Sequence, residues 1–230
     1  MTLERYENEL MKPPQRFVLI FFCMMFLFRA PGGEISAQDL NTIIDQIQAE
    51  YERTQDIYAT FTQISRLRSL PAPKQSQGIV YFKKPGKMRW EYTNPEQQLL
   101  VSNGKTMWYY VAEDSQVIVQ NAEDAYGSRT PVTFLSGMGK LQNDFYMKLL
   151  PSGEKGEYKL ELLPKQPQPE LAKLILTVDP DSYRIIHTAV YDPYGNITDV
   201  FLHSIETNIA PPDDLFTFEI PDGVDVIRQN

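Results

Sequence analysis

The chain has 230 residues, of which 42% are apolar and 23% are charged, so it is long enough to bury the core of a folded domain. Its formal net charge of −8 argues against a surface built to bind the phosphates of nucleic acid. Its one cysteine, Cys23, excludes an internal disulfide bond.

An apolar run near the N-terminus predicts an export signal. Residues 17–28 (FVLIFFCMMFLF) are apolar without interruption, a length that is short for a membrane span and typical of a signal-peptide core. The basic residues Lys12 and Arg16 precede the run. The residues before Cys23 lack the small side chain that lipidation of a cysteine normally needs, so we expect no lipid attachment there.

The position of the cleavage site follows from the next small residue. Ala37 ends the segment after the apolar run, so we expect residues 1–37 to be a cleaved signal peptide and residues 38–230 to form a single domain. Met11 followed by a lysine is the alternative start of the chain, and an uncleaved anchor is the alternative fate of the segment.

An amphipathic helix is predicted at the start of the domain. Its apolar residues have the spacing of one helical face, while Gln, Glu and Asp fill the other; they are Leu40, Ile43, Ile44, Ile47 and Tyr51. Asp39 is the expected N-cap of this helix of about four turns.

From Tyr58 onward the period of the pattern changes to two, which predicts strands joined by tight turns. The segments with strand character are 58–70, 77–83, 88–93, 99–102, 106–112, 116–121, 145–150, 158–163, 171–178, 183–191 and 196–207, followed by a short strand with a tail at 216–227. A sheet of that many strands must curl. We therefore expect a mainly β fold with few helices: an incomplete, half-open antiparallel β-barrel of about eleven strands.

One helical segment interrupts the strands and is expected to act as a lid. Residues 131–141 carry Phe134, Met138 and Leu141 at helical spacing. Two glycines, Gly137 and Gly139, weaken this helix. A short, mobile apolar helix between the strands of an open sheet suits a lid over the interior.

Bulky apolar residues crowd two of the predicted strands. They are Met88, Trp90 and Tyr92, which alternate with polar residues, and Met107, Trp108, Tyr109 and Tyr110. A plain core between sheet and helix is one interpretation of this group. An apolar hollow is the other, because so few helices are available to cover so large a sheet.

The sequence offers little for catalysis. The two histidines, His187 and His203, stand far apart in strands without a neighbouring metal ligand at the usual spacing. Nucleophile-elbow, phosphate-loop and dinucleotide patterns are missing. We expect no enzyme, no metal and no cofactor. A hydrolase with scattered residues stays open, and it predicts an acid, a histidine and a hydroxyl that converge in space.

The order of several short motifs resembles the LolA family of periplasmic outer-membrane lipoprotein carriers over most of the domain. The motifs are Phe61-Thr62-Gln63, Gly78, Lys83-Lys84-Pro85-Gly86-Lys87-Met88-Arg89-Trp90, Tyr92 with Pro95, Ser102-Asn103-Gly104-Lys105-Thr106-Met107-Trp108-Tyr109, Thr130-Pro131, Leu162 with Pro164, and Phe216-Thr217-Phe218 with Pro221-Asp222-Gly223-Val224-Asp225-Val226-Ile227. The resemblance implies a half-open barrel closed by helices, a location in the periplasm, and a carrier that hydrolyses nothing.

The resemblance also implies partners and site residues. The cargo would be the acyl chains of lipoproteins, received from an inner-membrane ABC-type releasing complex and delivered to an outer-membrane receptor by a monomeric carrier. The side chains expected to line the acyl-chain cavity are Met88, Trp90, Tyr92, Trp108, Phe134 and Met138. Lys84 stands where many members carry an arginine thought to hold the lid, so Lys84 is expected to govern release, with Lys83 or Arg89 sharing that role.

A second class of function stays open at this stage. On the same fold, the hollow of a lipid-binding or envelope-stress sensor would detect lipid or misfolded protein and signal to a partner. Against this alternative, we expect neither the second domain nor the membrane anchor that such a sensor would have. An outer-membrane receptor of this fold is disfavoured because the sequence lacks a lipidation signal.

Overall fold

The computed structural model describes residues 37–125, 141–153 and 155–229. The predicted signal peptide, apart from Ala37, and the predicted lid as far as residue 140 lie outside this range.

The first helix, α1, spans Ala37–Arg53. The predicted apolar face is its buried face, since Ile43, Ile47 and Tyr51 join the hydrophobic core. The helix begins two residues before Asp39, which therefore lies in the first turn rather than at the N-cap. A carboxylate in the first turn still favours the positive end of the helix dipole, and sequence patterns fix helix ends only to within one or two residues.

The described residues contain twelve strands, close to the predicted number. They are β1 Asp56–Arg66, β2 Lys74–Lys83, β3 Lys87–Asn94, β4 Gln98–Asn103, β5 Thr106–Val111, β6 Gln116–Asn121, β7 Phe145–Leu150, β8 Tyr158–Pro164, β9 Lys173–Val178, β10 Ile185–Tyr191, β11 Ile197–Thr207 and β12 Asp225–Arg228. Between β6 and β7, the described residues form two one-turn helices, α2 Ala122–Ala125 and α3 Leu141–Asp144.

All twelve strands form one sheet in the order β12-β6-β5-β4-β3-β2-β1-β11-β10-β9-β8-β7. Its ends, β12 and β7, do not pair with each other, so the sheet is open. This confirms the predicted mainly β, half-barrel fold. The centre of the sheet is β1, which pairs with β2 on one side and with β11 on the other.

Two predicted hairpin corners position the residues of interest. The corner between β2 and β3 uses Gly86 at φ +66°, and the corner between β4 and β5 uses Gly104 at φ +88°. Glycine tolerates these left-handed conformations at little cost. The alternation of β3 is therefore held in a defined register between β2 and β4.

The C-terminal region differs in detail from the predicted strand at 216–227. Residues Asp213–Phe216 form a 3-10 helix, and the strand comes later, at Asp225–Arg228. This last strand pairs with β6 in parallel, whereas every other pair in the sheet is antiparallel. The parallel pairing arises because the tail runs across the sheet before it reaches the free edge of β6.

The two faces of the sheet have different cover. The inner face carries Ile57, Phe61, Val80, Phe82, Met88 and Trp90, which share one core cluster with α1. The outer face of β3 to β5 is covered instead by the C-terminal segment, defined here as residues 213–218. Phe216 of this segment is fully buried, and the ring of Phe218 lies 5.3 Å from that of Tyr110.

Candidate functional site

The predicted alternation of β3 places three bulky side chains on the inner face. Met88 is fully buried, Trp90 is 8% exposed, and Tyr92 is half-buried. Because directly opposed residues of antiparallel strands share a face, Ser102 and Leu100 of β4 lie beside Met88 and Trp90. The structure thus brings together three of the six predicted cavity residues.

Helix α1 covers only part of the inner face. Several apolar residues pack against the core yet keep some exposure; among them are Leu40, Tyr92, Leu100, Met147, Leu149, Val190, Val200, Leu202 and Ile205. Apart from Leu40 of α1, they come from strands in both halves of the sheet. Apolar surface left partly open on one face can accept an apolar ligand.

The inner face becomes polar toward one end of the strands. The Tyr92 hydroxyl donates to Gln63 Oε1 at 3.0 Å, and the Tyr109 hydroxyl donates to Gln98 Oε1 at 2.9 Å. We call these four residues the polar band. Burial raises the pKa of Tyr92 to about 12, so its hydroxyl stays protonated and remains a donor at neutral pH.

The sequence prediction missed three members of the polar band, Gln63, Gln98 and Tyr109, although the sequence contains a signal for one of them. Gln63 continues the alternation Ala59, Phe61, Gln63 on the inner face of β1. Tyr109 lies two residues after Met107 and is opposite Leu100. Period-two reasoning extended through β1 would have found Gln63, whereas the four successive bulky residues of β5 give no such signal for Tyr109.

Trp90 is held in a cluster of aromatic rings. Its ring centroid lies 4.7 Å from that of Phe61, 6.2 Å from that of Phe82 and 6.4 Å from that of Tyr92. Within the described residues, the buried indole N–H of Trp90 finds no hydrogen-bond acceptor of normal geometry, although it is near enough to the Tyr92 hydroxyl to lower the pKa of that group slightly.

Gly78 makes this packing possible. It lies on β2 between Phe61 and Tyr92, whose rings meet edge to face at 5.1 Å. A Cβ at this position would lie 1.9 Å from the Glu91 carbonyl oxygen and 2.8 Å from the Phe61 ring. Glycine is therefore required for strand and rings to approach so closely.

Lys84 contacts the end of α1. Its ammonium group donates to the carbonyl oxygen of Tyr51 and lies 3.5 Å from that of Glu52. These carbonyls belong to the last turn of α1, which has no helical donors for them and carries the negative end of the dipole. Partial burial lowers the pKa of Lys84.

Two further contacts hold the same end of α1. Arg184 Nε donates to Glu50 Oε1 at 2.9 Å, and the backbone N–H of Ile185 donates to the Tyr51 hydroxyl at 3.1 Å. The C-terminal end of α1 is therefore pinned to the sheet by polar contacts, while the rest of the helix is held by apolar packing.

Two other predicted residues lie on the outer face. Arg89 pairs with Glu91 Oε2 at 2.9 Å, and its Nη1 lies 3.5 Å from the Leu215 carbonyl oxygen in the C-terminal segment. Trp108 is opposite Val101, which is in turn opposite Arg89. The register therefore does not bring Trp108 to the face that carries Trp90. The predicted cavity residues Phe134 and Met138 lie outside the described residues.

The two histidines bear on the hydrolase alternative. His203 is exposed on β11, whereas His187 meets Thr177 at 3.2 Å and Asp199 at 2.8 Å. Arg66 also pairs with Asp199. An acid, a histidine and a hydroxyl do converge, but Thr177 and Asp199 are only 8% and 7% exposed. Together with Arg66, these side chains form a hydrogen-bonded and ion-paired network on the outer face of the sheet.

Metal binding and membrane crossing by a helix are two further properties on which the described residues bear. No cluster of three or more His, Cys, Asp or Glu side chains there is arranged to hold a metal ion. No helix there has the length and apolar character needed to cross a bilayer.

The open sheet, with a partly covered apolar inner face that ends in a polar band, defines a half-barrel protein. A family model described as outer membrane lipoprotein carrier protein LolA matches residues 52–219. The chain belongs to this family, whose members are carriers rather than enzymes.

Individual relatives agree over nearly the whole chain. An outer-membrane lipoprotein carrier protein of Methylococcus capsulatus is 31% identical over 217 residues, which cover 94% of this chain and 99% of the relative. One from Dechloromonas aromatica is 32% identical over 186 residues, covering 81% and 88%. Among solved structures, an uncharacterized conserved protein from Thermus thermophilus shares the fold, with a TM-score of 0.54 at 15% identity, covering 84% of this chain and 100% of that one.

Proposed function

We propose that the protein is a periplasmic carrier that shields the acyl chains of lipoproteins against its inner face and moves them from the inner to the outer membrane. The observation that carries this proposal is the inner face itself. It is apolar around Met88, Trp90 and Leu100 and is only partly covered by α1. The family to which the chain belongs supports lipoproteins as the cargo.

The energetics explain why such a carrier is needed. Moving an acyl chain from a bilayer into water costs about 0.8 kcal/mol per methylene. Three long chains therefore amount to roughly tens of kcal/mol, which makes spontaneous transfer between membranes extremely slow. A soluble apolar face lowers this cost along the route, provided that it holds the chains loosely enough to release them.

Release needs a movable cover, and α1 is the cover that the described residues provide. Its C-terminal end is pinned by Lys84, Glu50 and Tyr51. In our proposal Lys84 controls release through this end of α1. Arg89, on the outer face, steadies the C-terminal segment. The partners in the proposal are an inner-membrane ABC-type releasing complex and an outer-membrane receptor.

The test uses the chain from residue 38 onward, incubated with inner-membrane spheroplasts that have just made outer-membrane lipoproteins. We expect lipoprotein to appear in the soluble fraction as a one-to-one complex. Leu100→Glu places a charge on the half-buried inner face and should abolish release. Trp108→Glu places the same charge on the outer face of the neighbouring strand and serves as the matched control, which should retain release.

Two outcomes contradict the proposal. Equal release by Leu100→Glu and Trp108→Glu would mean that the inner face does not hold the cargo. If the wild-type protein binds free lipid but releases no lipoprotein, the lipid-binding or sensor alternative replaces the carrier. Circular dichroism of both variants verifies that they are folded.

A further inference from the structure

We propose that the indole N–H of Trp90 is the hydrogen-bond donor for an acyl carbonyl, ester or amide, at the head of the bound chains. This inference rests on the proposed function, because it names the part of the cargo that Trp90 recognises. It goes beyond apolar shielding, for which any bulky side chain at this position would serve.

The indole N–H of Trp90 lacks a well-formed hydrogen bond. Its nitrogen is shielded from solvent, and within the described part of the chain it has no partner of normal geometry, although the Tyr92 hydroxyl lies near it. Buried donors are almost always paired in folded proteins, because an unpaired one loses its hydration without compensation. The protein without cargo bears this penalty, and an acceptor brought in by the cargo would remove it.

Trp90 lies between an apolar zone of the inner face and the polar band. Toward one end of β3 lies Met88, which is fully buried among apolar side chains. Toward the other end lies Tyr92, the first member of the polar band. Successive residues on one face of a strand are about 7 Å apart, so Trp90 is one step from either zone.

The proposed cargo carries the acceptor that this donor needs. An acylated lipid has apolar chains that end in ester or amide carbonyls, and these groups accept hydrogen bonds but, at an ester, donate none. The hydroxyls of Tyr92 and Tyr109 already donate to Gln63 and Gln98. Among the described residues, the Trp90 N–H is therefore a donor without an acceptor of normal geometry at the boundary where an acyl chain would end and its head would begin. It fixes how deeply the chains enter.

The test compares lipids that differ only in the carbonyl. Two glycerolipids of equal chain length, one with ester links and one with ether links, are titrated into 15N-labelled protein from residue 38 onward, and an N-acyl amide amphiphile forms a third arm. The chain has two tryptophans, so the indole region shows two N–H signals, which Trp108→Phe assigns. We expect the Trp90 signal to move downfield with the ester and the amide, and not with the ether.

Affinity gives the second measurement. A donor satisfied by the ester and left unpaired by the ether should favour the ester by about ten- to a hundredfold in Kd. In Trp90→Phe, which keeps an aromatic ring but lacks the N–H, this ratio should fall to about one. Binding of the ether lipid by the variant is measured in the same titration, so misfolding is recognised as loss of both affinities.

The outcomes separate the two proposals. Equal affinity of wild-type protein for ester and ether, with no selective shift of the Trp90 signal, overturns the carbonyl assignment and leaves the carrier standing. An amide response without an ester response assigns the donor to the amide-linked chain. Failure of all three lipids to bind wild-type protein overturns the proposed function and this inference with it.

Discussion

Replacing Lys84 with methionine tests whether its ammonium group anchors α1. The variant keeps a long apolar side chain, but it loses the donor to the Tyr51 carbonyl oxygen and the positive charge near the Glu52 carbonyl oxygen. A hydrogen bond with one charged partner contributes about 1.5–3 kcal/mol to stability. Because the site is partly open to solvent, we expect a loss near the lower end, about 1–2 kcal/mol of the free energy of unfolding.

Urea unfolding of the chain from residue 38 onward measures this loss as a lower midpoint at constant slope. For a domain of this size the melting temperature should fall by about 2–4 °C per kcal/mol. Lys84→Arg restores a charged donor at the same place and should recover most of the stability.

The matched control is Lys74→Met. Lys74 pairs with Glu96 at 3.0 Å, but both side chains are more than 40% exposed, so its loss should cost less than about 1 kcal/mol. If Lys84→Met is no more destabilising than Lys74→Met, Lys84 does not anchor the helix and its proposed part in release has no structural basis.

Three further predictions concern packing and pH. In urea unfolding, Gly78→Ala should lower the free energy of unfolding by about 3 kcal/mol, because its Cβ would collide with Glu91 and Phe61. Gly156 has φ +82° and open space around it, so the same change there should cost about 1 kcal/mol. Similar losses at both sites would show that no collision occurs at Gly78. Met88 is fully buried, so Met88→Ala should lower the free energy of unfolding in urea by about 2–5 kcal/mol. This loss should exceed that from Met147→Ala, because Met147 is only half-buried. A larger loss from Met147→Ala would contradict the position of Met88 in the core. Hydrogen bonds from Lys83 and Lys87 lower the pKa of Asp213 to about 2, so the stability that this carboxylate contributes is present above pH 4 and is lost as the pH falls from 4 to 2. The free energy of unfolding of Asp213→Asn should therefore lie below that of the wild-type protein above pH 4, and the gap should shrink as the pH falls to 2. A gap that does not change with pH would contradict the pairing.

Local signals in the sequence were enough to predict much of the sheet. Pro85-Gly86 and Asn103-Gly104 specify corners whose backbone few other residues adopt, and the alternation of β3 shows which of its residues share a face. These features depend on neighbours along the chain. They were therefore readable before any tertiary contact was known.

Which residues of β5 lie on the inner face could not be predicted in this way. Met107, Trp108, Tyr109 and Tyr110 are bulky at successive positions, so alternation cannot tell which two lie inside. The answer depends on a distant cause: the C-terminal segment provides an apolar cover on the outer face, where Phe218 meets Tyr110. A face that looks solvent-directed in a local pattern becomes a second buried layer.

The contact of Lys84 with α1 could not be predicted from its neighbours in the sequence, and only the family resemblance suggested a role for this residue. Its contact with Tyr51 joins residues 33 positions apart in the sequence, and nothing near Lys84 predicts it. The parallel pairing of β12 has the same origin, since its partner β6 precedes it by about a hundred residues. Long-range contacts of this kind are specified by the fold as a whole.

The central position of β1 has a consequence for how the chain acquires its structure. The two halves of the sheet meet where β1 pairs with β11, as in the opposition of Phe61 and Leu202. Closing so long a loop is slow compared with forming neighbouring hairpins. Until β11 has been made, β1 lacks one of its two partners, and the growing chain cannot complete its sheet. A nascent chain of this topology stays incompletely folded until β11 has been synthesised.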